Sequence, residues 1–179
     1  MTVQVWSRAE LGTDRGQLTE DERDDLNGLR LTGRRAEEWI AGRIAMHRVL
    51  GATTSVTTCA DGAPDYRPPP GARYRSVSLS HDGAWIAVAA AEGPEVAIDL
   101  CTLDQATRLR PILARLGVVA REPCVAWAAI ECALKLRRRA IWSLLDGTIA
   151  VVDGCVTGIG DEVRVETRTT GEYALAWVA

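Results

Sequence analysis

Apolar and polar positions follow two different periods along the chain, and these periods predict where helices and strands lie. Between Arg34 and Leu50, apolar residues recur near helical spacing, which predicts a helix that stops at Gly51. A second long helix is predicted from Pro123, where a missing N–H does no harm, to about Arg139. Shorter helices are predicted to begin after Thr19, an N-cap followed by acids, and over Leu103 to Leu116.

Strands are predicted where β-favouring residues run between turn signals, at Arg75 to Leu79, Trp85 to Ala90, Val96 to Leu100, Thr148 to Val152, Val163 to Thr167 and Tyr173 to Val178. The proline- and glycine-rich stretch Asp61 to Arg75 predicts a loop. Ser80 to Gly83 is predicted as a turn, and Glu92 to Glu95 as a hairpin joining its two flanking strands. Helices with antiparallel strands in each part of the chain indicate an α+β fold.

Composition narrows the classes of function. The 179 residues suit one domain or two small halves, and the net charge of -3 gives no overall basic field for nucleic acid or a membrane surface. Five scattered cysteines without a C-x-x-C pair argue against a disulfide framework and a zinc site, and indicate a reducing cytoplasm. No stretch approaches the ~20 uninterrupted apolar residues of a membrane span.

The helix predicted from Pro123 carries the first candidate for chemistry. Trp127, Glu131 and Lys135 are spaced i, i+4, i+8 and therefore share one helical face. One interpretation is an exposed Glu–Lys pair beside a core tryptophan. The rest of this helix is almost entirely apolar, however, and a carboxylate and an ammonium on a buried helix need partners. A metal ion and a phosphate would supply them.

Two further candidates lie at strand ends. Strand alternation predicts one set of residues toward the core and one away from it: Val96, Ile98 and Leu100 in the first, Ala97, Asp99 and Cys101 in the second. Asp99 is then either a functional acid or a residue that caps the next helix. His81, beside Ser80, is well placed to bind an anion, or is a turn histidine that caps backbone groups.

The two long predicted helices share a short pattern. Trp39, Arg43 and His47 are spaced as Trp127, Glu131 and Lys135 are. Duplication of one ancestral half would explain this match, and so would chance similarity between two amphipathic helices.

With these candidate residues in this order, the chain resembles the 4'-phosphopantetheinyl transferases of the surfactin-synthetase type. The resemblance is carried by RRAEEWIAGRIAMHRVL (34–50), DGAP (61–64), SVSLSHD (76–82), VAIDL (96–100) and WAAIECALKL (127–136). Order and spacing agree from about residue 30 to about residue 140. These enzymes move the phosphopantetheine arm of coenzyme A onto a serine of an acyl or peptidyl carrier protein.

The resemblance implies a fold of two similar α+β halves related by a pseudo-two-fold axis, each with helices packed on a small antiparallel sheet. The halves would be residues 1–100 and 101–179, together forming one compact catalytic unit with coenzyme A between them. A monomer is expected, because one chain would already supply the whole site. The expected partners are a carrier protein and coenzyme A, with no nucleic acid and no membrane.

The resemblance also assigns roles to residues. Asp99 and Glu131 would hold Mg²⁺ against the coenzyme A pyrophosphate, and Lys135 would contact phosphate and assist the reaction. Glu131 is the candidate general base for the carrier serine, directly or through a water. Arg43, Ser80 and His81 would bind coenzyme A. A basic patch is expected to receive the acidic carrier, and Arg137 to Arg139 could contribute to it.

Three positions depart from the pattern of the family. Cys101 stands where a second acid often follows the strand-end aspartate, Ile130 where a lysine often precedes the helix glutamate, and Ala97 where a glycine is usual. A neutral thiol is a poor ligand for Mg²⁺. The departures leave open a fold repurposed for another reaction on a carrier- or coenzyme A-bound substrate, and a relative that binds either one without catalysis.

Overall fold

A computed structural model describes residues 1–139 and 149–178 of the chain. It divides into two compact units, Met1–Val96 and Ala97–Val178. The described residues combine helices with small antiparallel sheets, so the predicted α+β class is confirmed. No helix among them is both long and apolar enough to cross a membrane.

The first unit places its long helix on a three-stranded antiparallel sheet. Its elements are β1 (Thr2–Ser7), α1 (Arg8–Leu11), α2 (Glu20–Leu29), α3 (Gly33–Leu50), β2 (Val56–Thr58), β3 (Pro64–Tyr66), β4 (Ser76–Asp82) and β5 (Trp85–Ala91). The sheet has the order β1-β5-β4, and β2 with β3 forms a separate hairpin. The core lies mainly between α3 and the sheet, with Ile40, Ile44, Ile86 and Val88 among its buried side chains.

A missing side chain lets α3 lie close to the sheet. A Cβ atom added to Gly42 would stand 2.9 Å from Leu79 Cδ2 on β4, inside normal contact distance. Any side chain at position 42 would therefore push Leu79 or the helix away.

Helix α2 begins with a buried carboxylate. Thr19 is its N-cap, as predicted, and Glu22 completes a capping box by accepting from the Thr19 N–H at 3.0 Å. Glu22 is 0% exposed and also accepts from the Val56 N–H at 3.0 Å. His47 Nε2 donates to it at 2.9 Å, since an ionised carboxylate can only accept. One side chain thus joins α2 to β2 and α3.

The second unit also packs a long helix on a three-stranded antiparallel sheet. Its elements are β6 (Ala97–Thr102), α4 (Ala106–Arg115), α5 (Pro123–Leu136), β7 (Ala150–Val152), β8 (Cys155–Thr157), β9 (Val163–Arg164), β10 (Glu166–Thr169) and β11 (Tyr173–Val178). The sheet under α5 has the order β10-β11-β6, and β7, β8 and β9 form a second small sheet.

Several local predictions were wrong. The strands on either side of Glu92 to Glu95 do not form a hairpin, because β5 pairs with β1 and β4 while β6 pairs with β11. Residues 80–82, predicted as part of a turn, continue β4. The predicted loop at 61–75 contains β3, which tolerates Pro64 because it is one strand of an isolated hairpin. The predicted start of a strand at residue 148 lies outside the described residues.

Candidate functional site

The first unit holds a pocket of about 310 Å³ at the junction of α3 and β4. Its lining includes Arg35, Glu38, Trp39, Arg43, Leu79 and His81. Two of the predicted coenzyme A-binding residues, Arg43 and His81, therefore share one cavity. Ser80 is not among the residues that line it, because successive residues of β4 face opposite sides of the sheet.

Arg43 is a buried cation with incomplete pairing. It is 3% exposed, and burial lowers the pKa of its guanidinium to about 10, which leaves it charged at neutral pH. Its Nη2 donates to the Thr57 carbonyl at 3.0 Å and to Thr58 Oγ1 at 2.7 Å. The guanidinium carbon lies 4.3 Å from the centre of the Trp39 ring. Among the described residues, nothing accepts a hydrogen bond from Nε, so the group is suited to an anion.

Glu38 is the acid in this otherwise basic pocket. It accepts from Arg34 Nε at 2.7 Å and from Arg8 Nη1 at 3.1 Å. Burial raises the pKa of this carboxyl, but the Arg34 hydrogen bond and the nearby positive charges, His81 included, outweigh burial and lower it overall. Glu38 therefore stays ionised and holds cationic side chains around the mouth of the pocket.

The second unit brings together Asp99, Glu131 and Lys135. Lys135 Nζ donates to Asp99 Oδ1 at 2.6 Å and to the Ile98 carbonyl at 3.1 Å. Asp99 lies on β6 and is 6% exposed, while Lys135 lies on α5, which packs over that strand. Because Glu131 precedes Lys135 by four residues, it lies on the same face of α5.

Asp99 faces the core side of its strand, contrary to prediction. Its neighbours on that face, Ala97 and Cys101, belong to the core cluster of the second unit, packed with α5. The alternation in the sequence did not give the direction, because every residue of β6 is buried. This orientation is what allows α5 to present Lys135 to Asp99.

The charge balance around Glu131 is unfavourable for an ionised acid. Burial and the negative charge of Asp99 raise the pKa of Glu131, and Lys135 opposes this increase only partly. An acid with a raised pKa beside a second carboxylate is typical of sites that move a proton or bind a cation. Ionisation of Glu131 therefore costs stability in the folded protein.

Two positions that depart from the pattern of the resembled family, Cys101 and Ile130, lie in the core. Cys101 is 3% exposed and Ile130 is 0% exposed, and both pack in the cluster around α5. The Cys101 thiol donates to the Thr102 carbonyl at 3.6 Å. Neither residue supplies charge to the Asp99–Glu131 pair, and burial argues against Cys101 as a nucleophile.

Asp99 and Glu131 fit a divalent cation. The Asp99 charge that raises the Glu131 pKa would be relieved by a cation on the two carboxylates. Carboxylate oxygens are the protein ligands that Mg²⁺ prefers, and one or two of them with substrate phosphates commonly complete such a site. Within residues 1–139 and 149–178, no three His, Cys, Asp or Glu side chains group as metal ligands.

Sequence reasoning missed three residues that organise the pocket of the first unit. Glu38 had a readable signal, since it follows Arg34 at i+4, a spacing that favours ion pairs on a helix. Asp25 and Thr58 had none, because the hydrogen bond between them spans 33 positions of sequence. Neither the protein-family models nor the curated proteins contain a match to this chain.

Proposed function

We propose that this protein is a 4'-phosphopantetheinyl transferase that acts on an acyl or peptidyl carrier protein. The observation that carries the proposal is the group of Asp99, Glu131 and Lys135, in which a buried aspartate and a half-buried glutamate lie beside a lysine whose Nζ is 2.6 Å from Asp99 Oδ1. Their spacing matches the motif of the family that the sequence resembles. Two similar halves and the fold of that family are part of the proposal, as is a cytoplasmic, monomeric enzyme.

In the proposed reaction, the carrier serine oxygen forms a bond to the β-phosphorus of coenzyme A. The bond between that phosphorus and the bridging oxygen breaks, and adenosine 3',5'-bisphosphate leaves with the electron pair. Glu131 takes the proton of the serine hydroxyl, directly or through a water.

Asp99 and Glu131 would hold Mg²⁺, which when bound neutralises charge on the pyrophosphate. Lys135 orients the Asp99 carboxylate through their 2.6 Å contact, and an ammonium there also attracts phosphate. In the first unit, Arg43 and His81 are assigned to the phosphates of coenzyme A. Ser80 has no such role in the proposal, because it does not line the pocket that those two residues share.

The direct test is intact-protein mass spectrometry with coenzyme A, Mg²⁺ and a panel of apo carrier proteins. We expect one phosphopantetheine arm on a carrier, its loss with a chelator, and its loss in Asp99→Asn. Asp104→Asn, which changes an exposed acid just after β6, is the matched control and keeps activity. Coenzyme A binding without transfer to any carrier would contradict the proposal and favour a non-catalytic relative or one repurposed for another reaction.

We expect the carrier to dock on the arginines of α4. Arg108 and Arg115 are exposed, and no described acid lies in ion-pair range of either. Of the basic cluster predicted for this purpose, Arg137 already lies 3.7 Å from Asp161, and Arg139 donates to the Ile159 carbonyl. Helix α4 therefore offers an acidic carrier more unpaired positive charge than residues 137–139 do.

The double variant Arg108→Glu/Arg115→Glu should raise the KM for the carrier roughly tenfold at low salt, because charge complementarity governs encounter. Affinity for coenzyme A should not change. Arg164→Glu/Arg168→Glu makes the same change in charge on exposed residues of β9 and β10 and serves as the control. An equal KM increase in both double variants would indicate a net-charge effect and contradict docking on α4.

A further inference from the structure

The hydroxyl of Thr58 is the centre of a hydrogen-bond network beside the pocket of the first unit. It donates to Asp25 Oδ2 at 2.8 Å and accepts from Arg43 Nη2 at 2.7 Å. It also accepts from Trp39 Nε1 at 3.2 Å. A hydroxyl has one proton and two lone pairs, so these three bonds use its full capacity. The position of Thr58 is therefore fixed from α2 and α3 at once.

The network leaves the Arg43 charge only partly compensated. Asp25 Oδ2 is 3.9 Å from Arg43 Nη2, too far for a hydrogen bond, because the Thr58 hydroxyl lies between them. Both hydrogen bonds that Arg43 makes within the described residues go to neutral oxygens. A buried guanidinium without a direct carboxylate partner retains a strong attraction for an incoming anion.

We propose that Thr58 is a positioning residue that keeps the Asp25 carboxylate one hydroxyl away from Arg43, so that the Arg43 charge remains available to a phosphate group in the pocket. Asp25 orients Arg43 through Thr58 without neutralising it by direct contact. The choice of coenzyme A as the phosphate ligand rests on the proposed function. The arrangement of the three side chains does not depend on it.

The test is a set of variants whose affinity for coenzyme A is measured by calorimetry in the presence of a chelator. Thr58→Ala removes the hydroxyl and opens the space it fills, so Asp25 can pair directly with Arg43, and we expect binding roughly tenfold weaker. Thr58→Ser keeps a hydroxyl and should bind as the wild type does. Thr53→Ala, a hydroxyl loss at an exposed position before β2, is the matched control.

The decisive variant is Thr58→Ala/Asp25→Asn. If Thr58 acts as a spacer, removal of the carboxylate returns the Arg43 charge and most of the lost affinity. If Thr58 serves only to support the fold, the second change weakens binding further, and that result would overturn the proposal. Asp25→Glu tests the same idea with Thr58 intact, because the longer side chain can reach Arg43, and it should also weaken binding.

A second readout separates this inference from the transferase proposal. The Arg43 Nε–H resonance, observed by ¹⁵N NMR and titrated with inorganic pyrophosphate, should shift in the wild type, much less in Thr58→Ala, and again in the double variant. This pattern in a protein that transfers no phosphopantetheine would support the spacer and reject the enzyme. If neither pyrophosphate nor coenzyme A perturbs Arg43 in the wild type, the inference is wrong whatever the activity.

Discussion

Replacement of Glu131 by glutamine is expected to abolish phosphopantetheine transfer without lowering the thermal stability of the protein. Loss of a general base costs about 10² to 10⁴-fold in rate. The same substitution removes a half-buried negative charge near Asp99. Burial and the charge of Asp99 both disfavour ionised Glu131 in the folded state. Sites arranged for chemistry often carry such a cost in stability.

The raised pKa of Glu131 predicts how the stability effect of this substitution depends on pH. Since the folded-state pKa of Glu131 is raised, this group favours folding most below its unfolded pKa, and the contribution falls as pH rises through the folded value. The difference in Tm between Glu131→Gln and wild type should therefore grow with pH. Calorimetric unfolding with a chelator measures it, and Glu122→Gln at the exposed start of α5 is the control. A markedly lower Tm for Glu131→Gln at pH 8 would show that Glu131 is structural.

The second large effect is expected at Glu22. Replacement by alanine should lower the free energy of unfolding by at least about 3 kcal/mol, because each buried donor that loses a charged acceptor costs about 1–3 kcal/mol. The substitution leaves the Val56 N–H and His47 Nε2 without their acceptor and removes half of the α2 capping box. Glu20→Ala, in the same helical turn but exposed, should cost at most about 1 kcal/mol.

Lowering the pH should remove most of the difference in unfolding free energy between wild type and Glu22→Ala. Burial raises the pKa of Glu22, but the hydrogen bonds from His47 and from two backbone N–H groups outweigh burial and lower it overall. A lowered pKa means that the stabilisation is present above the unfolded pKa and is lost as pH falls through the folded value. Urea unfolding of wild type and Glu22→Ala from pH 7 downward should show the two curves converging. A constant difference at every pH would contradict a role for the ionised carboxylate.

The sequence was informative wherever local chemistry decides structure. The Thr19 cap, the helix over 34–50 and its stop at Gly51 depend on neighbouring residues, and each is confirmed. The prediction of a hairpin at 92–95 was wrong, because the sequence Glu-Gly-Pro-Glu suits a link between two different sheets as well as it suits a tight turn. The alternation along β6 could not give the direction of Asp99, since both faces of that strand are buried.

The candidate sites also combine local features, which the sequence predicted, with long-range contacts, which it did not. The spacing of Glu131 and Lys135 on one helix is a local property, so their shared face was predictable. The partner of Lys135 was not, because the Lys135–Asp99 contact spans 36 positions. Asp25 and Thr58 carry no motif at all. Their importance depends on an arginine whose burial only tertiary structure reveals.

The contact between Gly42 and Leu79 affects how a ligand would enter the pocket beside Arg43. The close approach of α3 and β4 depends on packing inside the protein, because Gly42 leaves room for the Leu79 side chain. A pocket wall held by such packing needs little closure, so little of the interaction energy is lost to ordering the protein. An alanine at position 42 would displace Leu79 or the helix, so we expect it to weaken binding through the shape of the pocket wall, with the charged side chains unchanged.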